Sequence, residues 1–190
     1  MKSIREHLAL PNPRFVCKAP SGLEEFEVPL ANEAGQPASP QQLALLEQLA
    51  GPAFATLRPL YEAFDGLLLH HHGETAGLFV FPIEELAERN DEWRQWFTAL
   101  DPSELYEFQR SGFAFATIVA SGNYFVAHEG RIYYSGHDDG DDAVWGENVE
   151  AFFQRALSDP TGFLAEAGCY TRYSDGVTDD QLIPERFLHD

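Results

Sequence analysis

Two stretches of the chain carry side chains able to do chemistry. His70-His71-His72 offers imidazoles, and His137-Asp138-Asp139-Gly140-Asp141-Asp142 offers an imidazole followed by carboxylates. On a strand, adjacent side chains alternate between faces, so only His70 and His72 share one, and a zinc site needs further ligands. No HExxH pattern or second spaced pair accompanies them, and a strand end running into Gly73 accounts for the run. The acidic loop suits a hard cation, which gathers several oxygens around one point. An EF-hand register starting at Asp138 nevertheless puts Gly140, Ala143 and Val149 where an acidic residue, Gly and Glu are needed. The preferred reading is a negatively charged protein-contact patch made of Asp138, Asp139, Asp141, Asp142, Trp145 and Glu147. Trp145 serves there either as an anchor or as a lid on the core. No catalytic residue, metal ligand or cofactor is assigned. The alternative is a metal-assisted hydrolase or small-ligand protein using His70, His72, His137 and the Asp138–Asp142 carboxylates.

Other chemistries find little purchase. The sequence has no GxSxG, no GxGxxG and no phosphate-binding GxxxxGK[ST]. Cys17 and Cys169 stand far apart with no CxxC, which predicts two free thiols in a reducing compartment. With 12 basic and 31 acidic residues the formal charge is -19. Such a surface repels nucleic acid and anionic membranes, and it favours encounter with basic partners. A solvated acidic surface that only maintains solubility would carry the same charge. The opening MKSIREHLALPNPR is too polar for a signal peptide, and no apolar run reaches the length of a membrane span. The expectation is a soluble, cytoplasmic protein.

At 190 residues, 44% apolar and 13% aromatic, the chain can bury a sizeable core. Arg14–Lys18 and Glu24–Leu30 read as a candidate hairpin, and 31–40, rich in small residues, Gly and Pro, reads as a linker. Ser39-Pro40 opens a helix that Gly51-Pro52 stops. A second helix follows through Phe64, where Pro59 is expected to kink or restart it. Two strands, Leu67–His71 and Gly77–Phe81, precede a helix after Pro82, with a break expected at Asn90. A meander at 113–120, 122–127 and 131–135 leads into the acidic loop. Val149, Phe152, Phe153, Ala156 and Leu157 then mark one face of a helix. These elements predict an α+β fold: a mixed or mostly antiparallel sheet built from hairpins, with helices packed on one face. The predicted division is an N-terminal extension (1–38), an α+β domain (39–167) and an extended tail (168–190).

The segments RPLYEAFDG (58–66), GLFVFPIEELAERNDEW (77–93) and SGNYFVAHEGRIYYSGHDD (121–139), followed by VEAFFQRAL (149–157), resemble the SUKH superfamily. That family includes fungal cell-wall-assembly regulators and bacterial toxin-immunity proteins. The resemblance covers roughly residues 40–167. It implies a single α+β domain with a non-catalytic, protein-binding role, in which the partner is a protein, possible examples being basic toxin domains. The family's binding residues are not fixed motif letters, so it assigns none here.

Overall fold

The computed structural model describes residues 1–12, 14–18, 25–72, 76–119, 121–136, 143–168, 171–174 and 179–188. It opens with α1 (Lys2–Leu8), followed by β1 (Arg14–Lys18), β2 (Glu25–Pro29) and β3 (Ala31–Ala34). Next come α2 (Pro40–Ala50), α3 (Phe54–Tyr61), β4 (Leu67–His72) and β5 (Ala76–Val80). The connection to β6 (Phe113–Ile118) carries α4 (Leu86–Gln95) and α5 (Glu107–Ser111). Then follow β7 (Tyr124–His128), β8 (Arg131–Ser135), β9 (Val144–Gly146), α6 (Val149–Ser158) and α7 (Pro160–Glu166). The last elements are β10 (Thr171–Ser174) and β11 (Asp179–Leu188).

The fold is α+β. Its main sheet is a seven-stranded antiparallel meander in sequence order, β3 through β9. A second sheet has the order β10-β11-β1-β2. Strands β2 and β3 are separated only by the buried Leu30, so one extended run supplies the edge of both sheets. Residues 31–34, expected to belong to a linker, therefore form a strand: β4 offers them a pairing edge that local composition does not reveal.

One face of the main sheet is dry. Leu67, Leu69, Leu78, Val80, Ala116, Phe125 and Ile132 are all buried there, beneath α6 and α7. Phe125 packs on Phe152 and Phe163 at centroid distances of 4.8 and 5.6 Å, while α1 and α3 pack against α6. The expected helical layer occupies this face. Helices α4 and α5 add cover on the opposite face, where Trp96 meets Tyr124 and Phe108 stacks on Tyr133. That second cover lies over β6–β8, and on the same face Leu68 of β4 and Phe79 of β5 stay only half-buried.

Local signals explain the helix ends. Ser39 and Gln42 form a reciprocal cap on α2, with Pro40 in the first turn. Asn148 accepts a hydrogen bond from the Ala151 amide and starts α6. Neither α3 nor α4 is broken where a restart or a break was expected. Helix α3 runs through Pro59; the carbonyl that Pro59 cannot bond belongs to Ala55, which faces solvent. Helix α4 runs through Asn90, which is buried because its side chain has a specific partner on the sheet.

That partner is the bulge in β6 between Ala114 and Ala116. The Asn90 Oδ1 accepts from the Ala114 amide at 2.9 Å, and its Nδ2 donates to the Ala114 carbonyl at 2.8 Å. A side-chain amide thus replaces the missing strand partner of one peptide. One turn later, the Trp93 indole donates to Ser135 Oγ at 3.0 Å.

Candidate functional site

Asp138, Asp139, Asp141, Asp142 and His137 lie outside the described residues. Their flanks mark the tip of the β8–β9 hairpin, where the Tyr134 amide donates to the Ala143 carbonyl at 3.3 Å. Ile132 opposite Gly146 sets the base of that hairpin. Glu147 belongs to the base, where its carboxylate accepts from Arg131 Nε at 2.9 Å. A strand of five residues, about 13 Å at the usual rise, separates Glu147 from the flanks of the acidic loop. Trp145 points elsewhere again. It is 7% exposed and stacks on Tyr134 at 4.9 Å, against Phe125 and Phe163. The Arg155 guanidinium lies 4.1 Å over its ring. Of the two roles weighed for Trp145, the packing is that of a lid on the core. Glu147 is exposed, Trp145 is not, and the two do not form one surface.

The histidine run is not a regular strand. The β4–β5 register shifts between Leu69 and His72, and His70 has φ 57°, the left-handed region. Strand alternation is lost there, and the His70 ring turns into the core at 0% exposure. It meets the His7 ring edge-on at 5.3 Å. Asn32 accepts from the His70 amide at 2.8 Å, and its Nδ2 lies 3.4 Å from His7 Nε2. His72 stays at the surface side, with Nδ1 3.0 Å from the Pro29 carbonyl. Burial, and next the charge of His7, lower the His70 pKa to about 3, against a hydrogen bond with the Ala156 backbone that raises it. Among the described residues no three His, Cys, Asp or Glu side chains converge as metal ligands.

The open end of the sheet's outer face is the feature that sequence reading missed. Strand pairing sets Glu33, Leu68, Phe79, Thr117, Tyr124 and Ser135 side by side across six strands. Burial grades along this row: Ser135 and Tyr124 are buried under α4, Thr117, Phe79 and Leu68 are half-buried, and Glu33 is exposed. At the β3 end the row borders a groove of about 310 Å³ lined by Glu33, Asp65, Leu68, Phe79 and Pro82. The groove has a rigid floor. A Cβ on Gly35 would lie 1.9 Å from the Asp65 carbonyl oxygen, so only Gly lets β3 approach so closely. Asp65 accepts from Gln42 Nε2 and, at 2.8 Å, from the Ile83 amide, which ties α2 and the segment after Pro82 to the same wall. No hydrogen bond or ion pair joins the Glu33 carboxylate to another described residue. In the sequence Leu68 sits inside an all-apolar LLL run, so nothing marked its outward direction.

The arrangement is a half-open apolar strip with a carboxylate at its mouth. None of the described helices is long and apolar enough to cross a membrane. No protein-family model, characterised protein or solved structure matches the chain.

Proposed function

We propose that this chain is a non-catalytic protein-binding module, an immunity-type or regulatory protein of the SUKH kind that engages a basic partner through its acidic surface. The observation that carries the reading is the charge of -19 on a fold that leaves an apolar strip open beside an unengaged carboxylate. Toxin nucleases carry basic surfaces for polyphosphate, and an acidic inhibitor gains both steering and complementarity against them. The order of elements in the resembling segments supports the same reading: the short helix α3 ahead of Gly66, strands β4 and β5, Pro82, a helix with Trp93, a hairpin and the closing helix α6. A bacterial, cytoplasmic setting belongs to this proposal.

The test is binding to proteins encoded beside this chain's gene, followed by surface plasmon resonance at two ionic strengths. A tight complex is expected, with an association rate that falls at least ~10-fold between about 50 mM and about 500 mM NaCl. No complex with any neighbouring product, or a rate indifferent to salt, refutes the proposal.

A further inference from the structure

We infer that the row Leu68–Phe79–Thr117, with Glu33 at its mouth, docks a partner segment presenting one large apolar side chain beside a lysine or arginine. The inference rests on the binding-module reading and names the chemistry of the partner at one place. Three observations define the occupant. Leu68 and Phe79 are cross-strand neighbours that remain half-exposed, while their counterparts on the other face, Leu67, Leu69, Leu78 and Val80, are buried. An apolar pair left open on a sheet otherwise covered on that side by α4 gains burial from a partner's apolar group. The adjoining groove, about 310 Å³, lies at the lower end of the range for ligand pockets and has room for one large side chain.

Charge fixes the neighbour of that side chain. Glu33 and Asp65 line the groove, Glu92 lies 3.5 Å from the Tyr124 hydroxyl in the same row, and Arg89 is the cation that the described residues place beside them. Arg89 is already held by Glu85 at 3.0 Å and Glu92 at 3.2 Å, and it lies 5.4 Å over Phe81. Asp65 has one oxygen on Gln42 and the other on the Ile83 amide. Glu33, exposed on β3 directly across from Leu68, is the carboxylate that an incoming cation meets first. An acidic segment would bring like charge to this end of an already acidic molecule.

A random peptide library displayed on phage, panned against the full chain, tests this. The enriched peptides are expected to pair Leu, Phe or Trp with an adjacent Lys or Arg. A synthetic copy of the strongest should lose at least ~10-fold in affinity on Phe79→Asp and ~5-fold on Glu33→Lys, by fluorescence anisotropy. Val144→Asp, at the exposed residue of β9 on the far edge of the sheet, should leave the affinity unchanged. If Phe79→Asp fails to fold, Glu33→Lys decides alone, since its site is exposed. No enrichment, enrichment of acidic peptides, or an affinity that survives Glu33→Lys overturns the inference. The broader reading fails separately: it falls if the unmodified chain forms no salt-sensitive complex. A complex formed equally well by Glu33→Lys and Phe79→Asp removes only the docking row.

Discussion

His70 shows how much one side chain departs from what its neighbours in sequence imply. Its imidazole is neutral in the fold because burial penalises the charged form and His7 stands edge-on to it. In the unfolded chain the ring titrates near the ordinary value of about 6.5, whereas in the native state it does so at about 3. Between those values only the unfolded state binds the proton. The native state's advantage is therefore complete above about pH 6.5 and is lost as pH falls toward 3, by about 1.4 kcal/mol per unit. Urea unfolding across pH 4–7 should show this slope, and His70→Gln should remove it. A slope that persists between about pH 5 and 7 in His70→Gln would show that the sensitivity does not arise at His70, and carboxylates such as Glu150 act below that window. The carboxyl of Glu150 is held below its usual range first by the terminal ammonium of Met1 and then by Ser3, so its own loss falls at lower pH.

Trp145 makes the complementary case. Placed among acidic residues, it reads as an anchor for a partner, but its ring is spent on Tyr134, Phe125, Phe163 and the Arg155 guanidinium. Trp145→Ala should lower stability by about 3–5 kcal/mol, the range for emptying a buried large aromatic site, measured by chemical denaturation. A loss of under about 1 kcal/mol would mean that the indole is not part of the core.

At the scale of elements, the helix–sheet joints decide stability. Helix α4 is fastened to β6 by Asn90, whose amide satisfies both backbone groups of Ala114. Asn90→Ala leaves those two groups buried at the bulge. At about 1–3 kcal/mol for an unsatisfied group, the cost should be roughly 2–4 kcal/mol once partial relaxation is allowed. Hydrogen exchange should show Ala114 losing protection before the middle of β7. Asn90→Asp sets a second acceptor oxygen against the Leu86 and Ala114 carbonyls in a buried site and should cost at least as much as Asn90→Ala. Helix α6 is held differently, by Phe152 inside a ring of Phe115, Phe125, Phe153 and Phe163 at 4.8–5.8 Å.

This contrast explains what was legible beforehand. Apolar spacing of Val149, Phe152, Phe153 and Ala156 states the buried face of α6 directly, and Ser39-Pro40 states the start of α2. Asn90 looked like a defect in its helix because its reason lies on a strand 24 positions away. Strand β3 looked like a linker because its pairing partner, β4, comes after two helices. The open row failed to appear for the same cause: Glu33, Leu68, Phe79 and Thr117 share a face only once register is known. A bulge at His70 then inverted the alternation on which the histidine reading depended. Local periodicity predicted elements; positions whose meaning depends on a distant partner stayed silent.

For the whole molecule, the governing quantity is the excess of 31 acidic over 12 basic residues. The cations in the described surface are largely taken up in pairs: Arg14 with Glu27, Arg58 with Glu62, Arg110 with Glu107, Arg131 with Glu147 and Arg155 with Glu166. Exposed pairs of this kind contribute about 0–1 kcal/mol each. They consume the available positive charge and leave the remaining carboxylates to repel one another across the surface. That repulsion acts over distances that salt screens, with a Debye length of about 10 Å at 0.1 M and about 3 Å at 1 M. Salt weakens the pairs as well, so the two effects oppose each other, and the larger number of unmatched carboxylates should prevail. Calorimetry at neutral pH should therefore find Tm rising with NaCl, by roughly 3–6 °C from about 10 mM to about 500 mM. That corresponds to some 1–2 kcal/mol for a chain of this length. Potassium chloride should act as sodium chloride does, because screening depends on ionic strength and not on a bound ion. A Tm that falls with salt would show that the pairs dominate and that the acidic surface does not oppose folding. In that case the charge excess would also lose its force as an argument for a basic partner, since a surface whose potential is already balanced locally steers nothing.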